Sequence, residues 1–513
     1  MIKINIIGGG TAGWLTAAMI VKTNVILKKQ GYQPVYDITV VESSNIPTIG
    51  AGEGSTGLFQ ELIVSRFKDL GVDEIDFLTK TGATLKMGIR LKDWNGTGTE
   101  FLSPIQPSDT YTYNIDLNFL SCLSNGTVSD ASFCGYLMGK ELSSYNLDRI
   151  KTTGHHSYHF DAHKVGKYFK DICMQHGVKH IDGEVTKLNR NSITGNLESV
   201  ELKETNQLIE SDLWFDCSGF ARVLVKPMGA GWISYSNQLP TNGAIPFIEK
   251  YKDGDDVRLE TLAWAQPNGW MWQIPTQERY GSGYVFSDMF VTADKAVEEL
   301  EKNIGRKIEP LRHIKFETGR LENCWVKNVI GLGLAGSFLE PLEATSIHTT
   351  IVQLDIFSHH FLYNDLKTIN LDIARNKYNK HIAQLVDEFR DLIQMHYMTK
   401  REDNEFWKYC KYGLEKTDNV KYAIDMCKHM SLSYLDFGSW HGSAGWGVWG
   451  WTLAGLGHIT KETADKTLKN FCMYDNSKKV YEQIIKNSKI KALPLMSSNQ
   501  FMKTLWNNKL GKR

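Results

Sequence analysis

The stretch "KINIIGGGTAGWLTAAMIVKTN", residues 3–24, decides the fold. Residues 3–7 alternate and branch, as in a buried strand. Gly8, Gly10 and Gly13 follow in G-x-G-x-x-G spacing, and residues 12–26 read as a helix. Gly8 permits the tight turn, Gly10 lets a pyrophosphate approach the backbone, and Gly13 lets helix pack on strand. The phosphate then rests at the positive helix N-terminus. A second strand, "VYDITVVES" at 35–43, ends in Glu42. An acid at the end of that strand, roughly 20–30 residues on, binds a ribose hydroxyl.

Two later segments repeat the theme. "WFDCSGFARVL" (214–224) is a strand running into Cys217-Ser218-Gly219. "NVIGLGLAGSFLEPLEATSIHTT" (328–350) is again strand, glycine turn and helix. This late return to the cofactor, as in flavoproteins of the hydroxylase type, favours FAD over NAD, since a simple NAD domain has no need of it.

Bulk properties bound the rest. With 513 residues the chain exceeds one core and forms two or three domains or one large elaborated fold. Hydrophobic residues make up 42% and charged residues 23%, as in a globular protein. Lys plus Arg and Asp plus Glu are both 58, so no charge excess points to nucleic acid. The eight cysteines have no CxxC pair or metal-ligand spacing and read as reduced, mostly buried thiols of a cytoplasmic protein. Neither a signal peptide nor an apolar run of the ~20 residues that span a bilayer is expected, so no membrane partner is. His155, His156 and His159 read as surface histidines on a strand, with no metal site.

Several motifs together resemble the flavin-dependent halogenases, the tryptophan-halogenase group in particular. They are "GGGTAGW" (8–14), "VESSNIPTIGAGEGS" (41–55), "TLKMGIRLKDW" (84–94), "YHFDAHKVGKYF" (158–169), "DCSGFARVL" (216–224), "GWMWQIP" (269–275) and "FLEPLEATSI" (338–347). The resemblance covers roughly residues 1–410, and W-x-W-x-I-P with E-P-L-E-x-T are its most specific signals. It implies an α/β fold of the flavin-monooxygenase type with a β-sheet substrate region and a helical C-terminal region. It also implies FAD delivered as FADH2 by a separate flavin reductase, and a halide ion (chloride, bromide or iodide) oxidised with oxygen to hypohalous acid. A lysine beside the substrate receives that oxidant, by hydrogen bond or as a haloamine, and passes electrophilic halogen to a small aromatic substrate.

The position matching that lysine is Lys86, inside an otherwise apolar run. A buried amine shifts readily toward its neutral form. Glu343 matches the family glutamate that takes the ring proton or polarises the oxidant, and Glu340 is the rival acid, read as structural. Halide is expected at the backbone N–H groups of Thr345 and Ser346. Ala344 and Ser346 depart from the family's serine and glycine there, which leaves halide preference open; a non-glycine Ser346 narrows the turn's backbone options. FAD contacts carried over by position are Gly8, Gly10, Thr11, Ala12, Gly13, Glu42, Ser43, Ile46, Glu53, Gly54, Val185, Leu334 and Ile347. The signature residues Trp270, Trp272, Ile274 and Pro275 stand near the flavin, with both tryptophans on one side of a strand as a wall between substrate and flavin. Core packing is the alternative for them.

For the substrate, "FGSWHGSAGWGVWGW" (437–451) offers Trp440, Trp446 and Trp449 as ring-stacking residues, with core packing as the alternative. The segment 107–133 reads as loop-rich and suited to lining the pocket. The expected division is an FAD-binding unit interleaved with a β-rich substrate region over 1–350 and a mostly helical, substrate-covering region over 351–513. A flavin hydroxylase and a non-catalytic FAD-binding protein are the competing readings. Substrate identity, partner reductase and homo-oligomer formation stay open.

Overall fold

The structure, a computed structural model, describes residues 1–46, 50, 52–105, 116–252, 254–362, 370–432, 436 and 446–512. The opening segment forms the strand Ile2–Ile7, the helix Thr11–Lys29 and the strand Tyr36–Glu42. The two strands pair in parallel, Ile2 with Tyr36 through Ile7 with Val41. Such a pair needs a crossover, and the helix supplies it. Helix residues from Gly13 to Val21 are buried all round, which is why this stretch lacks an amphipathic period. Its last turn emerges with Lys28 and Lys29, placed well for the negative helix end.

The sheet grows outward from Ile2–Ile7. On one side stand Tyr36–Glu42 and Lys179–Asp182, and on the other Leu213–Asp216, Val329–Gly331 and Trp325–Val326. All of these pair in parallel except the last two, which form a tight antiparallel pair. Strands more than 200 residues apart thus meet beside the glycine turn. Asp216 shapes the turn after Leu213–Asp216. Its carboxylate accepts from Ser218 N (3.0 Å), Leu224 N (2.7 Å) and Val225 N (2.8 Å), and from the Ser218 hydroxyl.

A second, seven-stranded sheet runs Ile314–Lys315, Gly243–Lys250, Arg279–Phe286, Gly269–Pro275, Thr261–Gln266, Gly88–Lys92, Glu100–Pro104. Every pairing is antiparallel except Thr261–Gln266 with Gly88–Lys92. Alternation along Gly269–Pro275 divides its side chains. Trp270, Trp272 and Ile274 join the main core. Met271 faces the other way, into a smaller cluster covered by Ala296 and Leu300 of the helix Ala293–Ile304. A small sheet joins the two large ones: Ser157–Phe160 lies between Glu53–Gly54 and Thr84–Lys86.

Helices dominate the C-terminal part, led by Thr345–Phe357 and Leu371–His396. The expected division near residue 350 falls inside Thr345–Phe357, and the late strand Leu495–Ser497 pairs with Leu142–Asn146. Residues 107–133 depart from a loop-rich reading where they are described. Leu117–Asn125 is a helix whose N-cap Asp116 accepts from Phe119 N at 3.0 Å, and Val128–Ala131 is a short 3-10 turn. Among the described residues no helix is long and apolar enough to cross a membrane. All eight cysteines are free.

Candidate active site

The glycine turn opens into a cavity of about 680 Å³, within the range of roughly 300–1,000 Å³ usual for small-molecule sites. Gly8 has φ +109°, and a Cβ there would meet Cys217 O at 2.3 Å. A Cβ at Gly13 would stand 1.9 Å from Gly8 O. Gly13 is therefore the packing glycine of the turn and is not part of the cavity wall. Gly10 caps the helix without a side-chain bond, which turns the helix N-terminus and its dipole toward the cavity. Glu42 lies at the edge. Its Oε1 accepts from Lys170 Nζ at 2.7 Å and faces His180 Nε2 at 2.9 Å. Its Oε2 leans over Gly9, where a Cβ would be 1.6 Å away. Gly8, Gly10, Thr11, Ala12, Glu42, Ser43, Ile46, Glu53, Gly54, Val185, Leu334 and Ile347 all line this one cavity. A bare-backbone cradle, a helix N-terminus and an acid at the second strand's end fit FAD.

Lys86 ends the strand Thr84–Lys86, opposite Ser157. It is 2% exposed and lies on the wall of the same cavity. Burial holds its ammonium down at about 8, with the Glu343 carboxylate pulling the other way. His159 is its neighbour. Its Nε2 is 2.8 Å from Thr261 Oγ1, and burial with the Lys86 charge keeps the imidazole well below its ordinary range. The surface reading of the histidines is therefore overturned: His156 and His159 are both fully buried, and His156 Nε2 sits 2.7 Å from Glu74 Oε1. His159 is buried because its strand, Ser157–Phe160, is the middle of its sheet and covered on both faces. Glu53, one strand away, has its carboxyl raised to about 7 by burial and by Asp161.

The two acids of "FLEPLEATS" part company. Glu340 is 2% exposed and locked in place. Tyr397 Oη donates to both its oxygens at 2.9 Å, and Thr241 Oγ1 donates to Oε2. Burial raises its carboxyl to about 7 against those donors. Glu343 stands on the wall with Lys86, its Oε1 3.1 Å from His396 Nε2. Glu343 and Ala344 take left-handed backbone angles in succession, φ +63° and +55°. Each costs a non-glycine residue about 1 kcal/mol or more. This double turn swings the chain into the helix Thr345–Phe357, so that Thr345 and Ser346 form its first residues at the cavity wall. Ser346 lies within the regular helix, so a glycine is not needed there; the narrowed turn expected at Ser346 falls instead on Glu343 and Ala344.

Trp270 and Trp272 both line the cavity, with ring centroids 6.4 Å apart. Ile274 lines it too, whereas Pro275 turns to the far end, its carbonyl accepting from Thr84 Oγ1 at 2.6 Å. The tryptophans are thus both core residues, at 1% and 8% exposure, and cavity wall. Trp440 lies outside the described residues, as does the side chain of Trp446. Trp449 is buried in the helix Trp446–Gly455 and is not part of this cavity's wall. That helix packs on the sheet edge through Gly455, where a Cβ would strike the Phe101 ring at 2.1 Å.

Sequence reasoning passed over Thr241, His396 and Tyr397. The last two end a long helix in "QMHYMT", and no local signal marks residues whose partners lie more than 50 positions away.

The family model described as tryptophan halogenase matches residues 3–469. Tryptophan 7-halogenase RebH of Lentzea aerocolonigenes is 31% identical over 449 residues, 83% of this chain and 81% of RebH. A tryptophan C-6 flavin-dependent halogenase (chlorinase) from taromycin biosynthesis superposes with a TM-score of 0.85 at 26% identity, over 99% of this chain and 100% of its own. BrvH, a flavin-dependent halogenase from Brevundimonas sp. BAL3, gives 0.81 at 25% identity, over 98% and 99%. With a flavin cradle, a buried lysine and a tryptophan wall in one cavity, this chain belongs to the tryptophan halogenase family and is a flavin-dependent halogenase.

Proposed function

We propose that Lys86 holds the halogenating oxidant and that Glu343 takes the ring proton from an electron-rich aromatic substrate. The observation that carries this reading is the burial of Lys86 on the same wall as Glu343 and the tryptophan pair. Reduced FAD, when bound, would supply the two electrons that take oxygen to the peroxide level, and that oxygen is the oxidant that turns halide into hypohalous acid. Gly10, Thr11 and Ala12 would hold the phosphates at the helix N-terminus, and Glu42 Oε2 the ribose. Ser43, Ile46, Glu53, Gly54, Val185, Leu334 and Ile347 would enclose the remainder.

The halide would sit at the N–H groups of Thr345 and Ser346, where the positive end of a 13-residue helix favours an anion. Trp270 and Trp272 would keep the arene from the flavin, so that only halide reacts there. Lys86 donates a hydrogen bond to the oxidant through an ammonium that burial has made more acidic, and so a stronger donor. As the new carbon–halogen bond forms, Glu343 stabilises the cationic ring and then accepts its proton.

Relatives named as tryptophan halogenases make an indole the first arene to test, with phenols next. Trp446 and Trp449 belong to the helix expected to flank that ring, and the helical region after residue 350 would cover it. A separate reductase would deliver FADH2, and the free thiols suit the cytoplasm. The decisive experiment is a mass-spectrometric screen of arenes with reduced FAD, oxygen and the three halides in competition. Halogenated product is expected, and Lys86→Ala abolishes it while FAD still binds. Product from that variant at the wild-type rate removes Lys86 from its role.

A further inference from the structure

The C-terminus of the helix Leu371–His396 grips both acids of the E-P-L-E turn. Tyr397 holds Glu340, and the preceding residue, His396, meets Glu343. We propose that His396 is a positioning residue for Glu343, donating its Nε2–H to Oε1 so that the carboxylate stays aimed beside Lys86. This rests on the reading of Glu343 as the ring-proton acceptor.

The tautomer follows from hydrogen-bond inventory. His396 Nδ1 is 2.8 Å from the carbonyl oxygen of Leu392, which can only accept, so Nδ1 carries a proton. Nε2 then meets Glu343 Oε1 at 3.1 Å, and a lone pair cannot face a lone pair at that separation. One proton must lie between them. With Glu343 ionised, that proton belongs to His396, and the imidazolium is a charge-assisted donor. His396 is fully buried, so the contact is shielded from water. Thr452 Oγ1, from the helix Trp446–Gly455, lies 3.4 Å from the same Nε2 and can accept the remainder of its hydrogen bond. Trp94 closes the site from the side, its ring centroid 6.0 Å from that of His396.

The geometry gives this contact a purpose. Glu343 has a left-handed backbone, and His396 is the side-chain partner of its carboxylate among the described residues. His396 is fixed by its own helix through Nδ1, and it transfers that rigidity to Oε1. Oε2 remains for the reaction. When the ring C–H bond breaks, its electron pair returns to the ring and its proton goes to Glu343. His396 takes no proton in that step.

The test compares His396→Leu, His396→Gln, Glu343→Gln and the His396→Leu/Glu343→Gln double variant. Three quantities are read: kcat and KM for arene halogenation, hypohalous acid captured by a small trap without arene, and FAD affinity. His396→Leu is expected to lower kcat roughly 10- to 100-fold, the loss typical of a hydrogen bond to a charged group, with KM, hypohalous acid and FAD affinity near wild type. His396→Gln, whose amide N–H reaches Oε1, is expected to keep kcat within about threefold of wild type, as a retained donor should. The double variant should be no more than about twofold slower than Glu343→Gln alone, because both changes remove one arrangement. A wild-type kcat in His396→Leu, a parallel loss of hypohalous acid, full additivity in the double variant, or a Gln variant as slow as Glu343→Gln each overturns the proposal. If the Leu variant does not fold, the Gln variant decides. A fully active Glu343→Gln sinks the proton-acceptor reading itself, whereas a slow Glu343→Gln beside a fast His396→Leu removes only His396.

Discussion

Gly54 and Lys86 stand so close that a methyl group added at Gly54 would lie 3.1 Å from the lysine Nζ and 3.4 Å from Cδ. Glycine at this position therefore sets the room beside the ammonium. Gly54→Ala forces the lysine to yield by a few tenths of an ångström and narrows the space an incoming oxidant can use. The largest halogen suffers first. In a competition among chloride, bromide and iodide, the products of Gly54→Ala should shift several-fold toward chloride. Product ratios identical to wild type would show that the halogen does not pass this point.

The buried lysine makes a prediction about pH. Its ammonium titrates at about 8, so the donor form predominates below that value and is progressively lost above it. If Lys86 works as a hydrogen-bond donor, arene halogenation falls as pH rises through about 8 while hypohalous acid formation does not follow it. Lys86→Arg, which stays charged across the range, should remove this limb even at a much lower rate. A rate that rises through about 8 would mean that the neutral amine is the working form.

Glu340 and Glu343, three residues apart, should respond in different measurements. The Glu340 carboxyl is raised from 4.5 to about 7 by burial. Between those values the folded state holds more protons than the unfolded chain, so this group lowers stability as pH rises, with the full penalty above about 7. Its size is about 3 kcal/mol at most. Glu340→Gln removes the titration but disturbs the Tyr397 and Thr241 donors. Denaturant melts should show the variant gaining on wild type between pH 5 and 8, over a constant offset. Glu343→Gln should leave that pH dependence alone and lower kcat by roughly 10²–10⁴-fold, the range for a lost general base.

How far the sequence carries depends on how local each feature is. The glycine turn, its helix and Glu42 lie within one βαβ unit, and periodicity with glycine spacing is enough to place them. The surroundings of Lys86 are not local. Gly54, His159 and Glu343 reach it from separate elements, and His159 reads as a surface residue because a short polar strand gives no sign that both its faces are covered. The segment 117–125 reads as loop because asparagine and serine punctuate it, yet its leucines and phenylalanine bury one face of a helix. The paired left-handed angles at Glu343 and Ala344 had no glycine to announce them. Tertiary packing imposes them, so they are legible only in the folded chain.

Trp272 raises the last question, whether the tryptophan wall only fills space or also separates two chemistries. It stands directly across the sheet from Gly283, and a Cβ at that glycine would meet its ring at 2.0 Å. The indole therefore lies flat on bare backbone, fixed from below, with its other side toward the cavity. Trp272→Ala removes the ring and leaves a void over Gly283, at about 3–5 kcal/mol. Trp272→Phe keeps an aromatic plate in place at smaller cost. If the wall works by keeping the arene from the flavin, the Phe variant halogenates at a reduced rate and yields no oxygenated arene in halide-free buffer. The Ala variant is expected to lose halogenation, because the void also loosens the strand that carries Trp270. Hydroxylated arene from the Ala variant, detected by mass spectrometry without halide, would show that one indole separates a halogenase from a hydroxylase. Halogenation by the Ala variant at the wild-type rate would return both tryptophans to the role of core filling.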